Sequence, residues 1–231
     1  MVEFIPAEKL KCKFGVFGHF YSVQIAPKKT VLCRSVLEIV ETDCVPRKAA
    51  ALSNQKPDAI FIMMNPGSSR PLAEVDNRIH SEAIHELPIL LVPTKPDTTQ
   101  YQVMRIMHYC EWRHVRVLNL SDLRCANSGV FLKQFRELEE DHSFDTHTVF
   151  SDRRADELAS KLIGGIPVIR AWGVRPQLDP LIFRCMSKLT SAKVVRGLLK
   201  EGTTNKFLHP LPKPQSKQEE WVNRMVEQCQ G

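Results

Sequence analysis

Two short motifs hold the groups in this chain best suited to chemistry. Met64-Asn65-Pro66-Gly67-Ser68-Ser69 follows the apolar run Ala59-Ile60-Phe61-Ile62-Met63, and His209-Pro210-Leu211-Pro212-Lys213-Pro214 follows Lys206-Phe207-Leu208. Each places turn-forming and polar residues at the end of a predicted buried strand. In open α/β sheets that edge is where ligands bind. Two such loops on neighbouring strands would set an amide and an imidazole across one pocket. That pairing suits chemistry on a small, polar, anionic group.

The residue types allow more than one role. Pro66 fixes one dihedral and Gly67 permits close backbone approach, so the chain can turn sharply off the strand. Successive amides there can cradle an anion, and the same residues also suit a plain turn closed by an Asx cap. Asn65 can orient a water, but its amide does not titrate near neutrality and is a poor base. His209, held between stiff prolines, can donate to an anion developing on a leaving group or act as acid or base. The alternative is an imidazole satisfied by backbone. Asn119, ending Val117-Leu118-Asn119, has the donor and acceptor for two bonds to the edge of a base, or for capping the next turn. Trp172, in Ala171-Trp172-Gly173, fits either the core or a stacking surface. His80 and His85 stand five apart, not the four of a metal-binding helix, so no metal is expected.

Four apolar runs would position these groups: 59–64, 115–118, 166–172 and 206–208. Continuous rather than alternating hydrophobicity predicts strands covered on both faces. Helical spacing is predicted over 98–112, over 151–163 with Ser151 as N-cap, over 178–189 and over 217–229. Strands alternating with helices predict a mostly parallel sheet. Ahead of them, 14–25 and 30–40 flank a turn at Ala26-Pro27-Lys28-Lys29. Residues 1–50 therefore read as a β-rich extension packed on an α/β domain spanning 51–231. Residues 68–96 read as a long loop with one short helix.

Composition narrows the setting. The chain has 231 residues, with 43% hydrophobic and 25% charged, which is ordinary for a globular protein. A net charge of +6 favours a polyanionic partner. No apolar run approaches the roughly 20 residues that span a bilayer, and Met1-Val2-Glu3-Phe4-Ile5-Pro6 lacks the features of a secretory signal. Seven cysteines, odd in number and without a CxxC pair, predict reduced structural thiols in a cytoplasmic protein.

The motifs and their order resemble the uracil-DNA glycosylase superfamily, over about residues 57–222. Its members carry a first motif often ending in Asn-Pro-Gly and a last motif His-Pro-x-Pro. Here these are Met64-Asn65-Pro66-Gly67 and His209-Pro210-Leu211-Pro212, with Val117-Leu118-Asn119 and Ala171-Trp172-Gly173 between them. The resemblance is closest to the mismatch-specific and single-strand-selective branches, and extends to bacterial and phage proteins with Asn-Pro-Ser or Asn-Pro-Gly after the first strand. It implies an α/β fold, a three-layer α/β/α sandwich around a mostly parallel four-stranded sheet. It implies a monomeric, monofunctional DNA glycosylase with no metal or cofactor, which flips out a nucleotide and hydrolyses its N-glycosidic bond.

The resemblance also implies roles. Asn65 would position the water, and His209 would stabilise the departing base. Met64, Pro66, Gly67 and Ser68 would lie near the flipped nucleotide. Asn119 would read the base edge, and Trp172 would border it. Pro210 and Leu211 would contact DNA, with Lys213 in place of the wedging residue. Asp76 is an alternative base. The chain departs from the pattern in lacking an aromatic shortly after Gly67, a place Tyr101 or Trp112 would fill. It departs also in the 68–96 segment, with Glu74, Asp76, Arg78 and His80, and in Leu211 and Lys213. The four-cysteine pattern of the iron–sulfur branch is absent. Such changes imply a changed substrate: a damaged, mismatched or modified pyrimidine, as in phage DNA. Two rival readings are a non-catalytic DNA-binding module and a nucleoside or nucleotide hydrolase.

Overall fold

The computed structural model describes residues 1–140, 142, 144–189 and 194–231. The chain opens with helix α1 (Ala7–Lys13) and a long hairpin, β1 (Phe14–Ala26) and β2 (Lys29–Glu41). Strand β3 (Ala59–Met63) follows, then short β4 (Arg70–Pro71) and β5 (Arg78–His80), then β6 (Leu91–Lys95) and α2 (Thr98–Tyr109). Strand β7 (His114–Asn119), α3 (Ser128–Glu140), α4 (Ala155–Lys161), β8 (Val168–Arg170), α5 (Asp179–Lys188), β9 (Val195–Arg196) and α6 (Gln215–Gln230) complete it.

The result is a mixed α/β fold built on one nine-stranded sheet in the order β4-β6-β1-β2-β7-β3-β8-β9, with β5 paired to β1. Strand β3 is parallel to β7 and β8, and β8 is parallel to β9. The other side is antiparallel, β2 with β7, β1 with β2, and β6 with both β1 and β4, except that β5 runs parallel to β1.

Three expectations change here. The sheet has nine strands and mixed direction rather than four mostly parallel ones. Within residues 1–50, the hairpin does not sit on the sheet but extends it, since β2 pairs with β7, while α1 packs on the sheet through Leu10. Cys33–Val40 are buried without alternation, as suits a strand covered on both faces. The run Lys206-Phe207-Leu208 is no strand of the sheet. It folds back antiparallel to 198–200 and touches Gly173 through Phe207, while β9 takes the place beside β8.

Residues alternate across the strands and feed two apolar clusters. Ile60, Ile62 and Leu118 join Phe131 and Phe135 of α3, Leu158 of α4, and Leu181 and Ile182 of α5. Phe61, Met63, Val115 and Val117 join Leu10 of α1, Val103, Ile106 and Met107 of α2, and Trp221 and Met225 of α6. Each fully buried side chain of this size stabilises by about 1.5–3 kcal/mol relative to exposure. Trp112, offered by the sequence as a stacking residue, packs edge-on against Phe61 in the second cluster. Among the described residues, no helix is long and apolar enough to cross a membrane.

Candidate active site

Register brings the ends of the parallel strands level. Met63 lies opposite Asn119, and Ile62 opposite Arg170. The chain reaches β7 on one side of β3 and β8 on the other, so the sheet changes winding direction at β3. Beyond these ends opens a cleft of about 440 Å³, within the size range of small-ligand sites. Met64, Asn65, Gly67, Ser68, Trp172, His209 and Leu211 all line it. The two motifs do therefore meet across one pocket.

Asn65 is held by its nitrogen. Nδ2 donates to the carbonyls of Leu123 (3.2 Å) and Cys125 (2.7 Å). Its Oδ1, with no protein donor among the described residues, is left as an acceptor in the cleft. Gly67 has φ +66°, and a Cβ there would stand 2.5 Å from Asp97 Oδ2, so both backbone and space require glycine.

His209 is oriented from behind. Leu211 N donates to Nδ1 at 3.1 Å, which makes Nδ1 the acceptor and puts the ring proton of the neutral form on Nε2. Burial pushes its pKa down to about 4, against the nearby Asp97 carboxylate, which pulls it up. At neutral pH the group is thus an uncharged N–H donor. The loop around it is fixed. Gln102 Nε2 donates to Pro210 O (3.0 Å), Gln218 Nε2 to Pro212 O (2.9 Å) and Trp221 Nε1 to Leu208 O (3.2 Å).

Several expected contacts lie elsewhere. Asn119 is fully buried and does not line the cleft. With its amide oriented to satisfy both ends, Nδ2 donates to Asn65 O (3.1 Å) and Oδ1 accepts from Arg34 Nη2 (3.2 Å). It supports the Asn65 loop and has no group left for a base. Asp76 is exposed and outside the cleft, because 70–95 turns away to pair with β1 and β6. Pro66 and Pro210 are buried anchors whose carbonyls accept from Arg34 and Gln102. Lys213 is exposed and off the cleft lining. Trp172 borders the cleft but has no exposed surface; its Nε1 donates to Asn205 O (2.9 Å) and its ring stands edge-on to Phe207. That leaves no open face for stacking. Tyr101 lies outside the cleft, with Lys11 over its ring.

Three residues complete the site without a motif to announce them. Asp97 lines the cleft and caps α2, its Oδ1 accepting from Thr99 N (2.9 Å) and Gln100 N (3.3 Å). Its only signal in the sequence is the capping-box pattern Asp97-x-x-Gln100 at the end of β6. Arg175, exposed at the rim, reaches Ser128 Oγ at 3.2 Å. Arg34 is fully buried beneath the Asn65 loop, donating to Pro66 O at 3.4 Å; burial lowers its pKa to about 10, so it stays a cation at neutral pH. A cation below the cleft and one at its rim favour a ligand that carries or develops negative charge. No family model, curated protein or solved structure matches the chain.

Proposed function

We propose that this chain is a monofunctional DNA glycosylase. It flips out an abnormal or modified pyrimidine and hydrolyses the bond between base and sugar, leaving an abasic site. The observation that carries this reading is the neutral His209, whose Nε2–H shares one cleft with the Asn65 amide oxygen.

The chemistry asks for few parts. As the bond from C1′ to the base nitrogen lengthens, the sugar gains positive charge and the base negative charge. A neutral imidazole N–H is a better partner for that developing anion than for the neutral base, so it stabilises the transition state selectively. The Asn65 oxygen can orient the attacking water. Met64 and Leu211 supply apolar contact for a base without an aromatic stack. Arg175 and Ser68, both exposed at the rim, offer a cation and a hydroxyl that can meet backbone phosphate. The net charge of +6 suits the same polyanion.

The test uses oligonucleotides and intact phage genomes carrying uracil, thymine mismatches, or hydroxymethylated and glucosylated cytosine. Each is incubated with wild type and with Asn65→Ala/His209→Ala, then treated with alkali. Strand breaks with wild type alone support the reading, and the responding substrate names the base. Salt-sensitive binding without breaks replaces it with a DNA-binding module. Cleavage of mononucleotides without affinity for oligonucleotides replaces it with a nucleotide hydrolase.

A further inference from the structure

Hydrolysis of the glycosidic bond must also dispose of a proton, and neither Asn65 nor His209 can take it. Asn65 is an amide whose nitrogen is already engaged by two carbonyls. His209, a lining residue of the cleft, carries its proton on Nε2 and gives its bare nitrogen to Leu211 N. We infer that the Asp97 carboxylate is the third catalytic group of this cleft, stabilising the positive charge on the sugar and accepting the water proton through Oδ2. The inference rests on the glycosylase reading and assigns to Asp97 the role that the sequence offered to Asp76.

The geometry separates the two oxygens of Asp97. Oδ1 is committed to the first turn of α2, where it accepts from Thr99 N and Gln100 N. Those bonds fix the carboxylate in place, as a preorganised group requires. Oδ2 has no hydrogen-bond donor among the described residues, and lies over Gly67 so closely that a Cβ would meet it at 2.5 Å. Gly67 follows Asn65 by two residues, and Asn65, Gly67 and Asp97 all line the cleft. Asp97 is half-buried, out of bulk solvent yet open to the cleft.

The charges then divide sensibly. An imidazolium beside Asp97 would pair with the carboxylate and neutralise it. The buried Arg34 cation lies within electrostatic reach of Asp97 but makes no hydrogen bond to Oδ2 among the described residues, and because burial keeps His209 uncharged no imidazolium adds to it, so Oδ2 serves the sugar cation while the N–H serves the base anion. In the step itself, the water oxygen bonds to C1′ as the C1′–N bond breaks, and the bonding pair leaves on the base nitrogen. The water proton passes to Asp97 Oδ2. The base anion, held by His209 Nε2–H, takes up a proton from solvent, and Asp97 returns its own to solvent. Atoms and charge balance as glycoside plus water giving sugar hydroxyl plus free base.

Asp97→Asn is the decisive variant, since asparagine caps a helix as well as aspartate does. Single-turnover base release is measured on the substrate that wild type cleaves, beside oligonucleotide affinity and melting temperature. The expected result is a loss of about 10²–10⁴-fold in rate, with affinity and melting temperature unchanged. Asp97→Gly, also tolerated at an N-cap, should lose rate similarly and regain part of it with added formate, which a structural role would not show. Base release by Asp97→Asn at the wild-type rate overturns the inference and leaves the glycosylase reading standing. Loss of rate together with loss of folding, and no rescue by formate in Asp97→Gly, also overturns it. No release by wild type from any substrate overturns both.

Discussion

Two of the molecule's clusters of polar side chains differ in what they leave open. One lies under the N-terminal hairpin. His19 Nδ1 meets Ser35 Oγ at 2.7 Å and its Nε2 meets Asn77 Nδ2 at 3.3 Å, while its ring stacks on Tyr21. Tyr21 Oη donates to Asp122 Oδ2, which also receives Arg154 Nη1 at 2.7 Å. Arg154 continues to Glu157, and Glu157 to Lys161. Apart from Asp122 Oδ1, which lacks a partner, the cluster answers its own donors and acceptors. The other cluster is the cleft. There Asn65, Asp97 and His209 each bind the protein with one polar atom and keep a second free. Burial pushes His19 and His209 alike to a pKa of about 4. A perturbed histidine therefore does not mark a site by itself. The free second nitrogen does.

The largest effect that would break this contrast comes from the hairpin side. Arg154→Ala strands Asp122 without its cation and leaves Glu157 with Lys161 alone. Removing one partner of a buried pair costs about 3–5 kcal/mol. Denaturant unfolding should show that loss, and a shift under about 1 kcal/mol, the scale of an exposed pair, would mean that the cluster is solvated and not a structural unit. Single-turnover base release below the unfolding range should be unchanged.

His209→Gln is the reciprocal experiment. Its stability should stay near wild type, while base release falls about 10²–10³-fold, the usual effect of losing one donor to a developing anion. His19→Gln should do the reverse, lowering the melting temperature without touching the rate. If both variants lose rate equally, the distinction between closed and open clusters fails.

Much of this contrast was legible in the sequence, and the reasons for the gaps are physical. Continuous apolar runs located β3, β7 and β8, and the turn residues after β3 marked the edge where the cleft opens, while the second motif follows 206–208, which is no strand of the sheet. Helical spacing located α2, α5 and α6, while Ser151, expected to cap, makes no cap bond, and its hydroxyl lacks a partner. Helix α3 has the same signals, with Asn127 Oδ1 accepting from Gly129 N and Val130 N and Phe131, Leu132, Phe135 and Leu138 on one side. Local pattern could not reveal what depends on long-range pairing. Nothing within 29–41 says that β2 will lie beside β7. A motif position also does not say which way an amide faces. Asn119 and Asn65 both end strands, yet Asn119 is consumed by Arg34 and the Asn65 backbone. Asp97 was hidden for the converse reason: a cap uses one carboxylate oxygen, and only the tertiary structure shows the other beside Gly67.

That proximity gives a smaller, sharper prediction. Gly67→Ala forces a non-glycine residue to φ +66° and a methyl group onto Asp97 Oδ2. The left-handed conformation alone costs about 1–2 kcal/mol, and the contact adds to it. In the background of Asp97→Ser, which shortens the side chain but keeps a cap, the contact disappears and only the backbone cost remains. A double-mutant cycle on stability should therefore show coupling of about 0.5–3 kcal/mol. Additivity would mean that Asp97 Oδ2 does not lie against Gly67 in solution.

A last effect concerns acid stability, where the two clusters should behave alike. His19 and His209 have a folded pKa of about 4, below the ordinary 6.5. Between those values the unfolded chain binds more protons, so stability rises with pH there and is lost as pH falls from 6.5 towards 4. Glu139 and Glu157, drawn down to about 2 in spite of burial by partners that include Arg184 and Arg154, add a second loss below about pH 4.5. Urea midpoints measured from pH 7 to 4 should decline in wild type. His19→Gln and His209→Gln should each flatten that decline to a similar degree, because burial causes both shifts. A variant that flattens it alone would assign the acid sensitivity to one cluster. An oligonucleotide that fills the cleft should change the slope through His209 only, since His19 has no nitrogen left to answer a ligand.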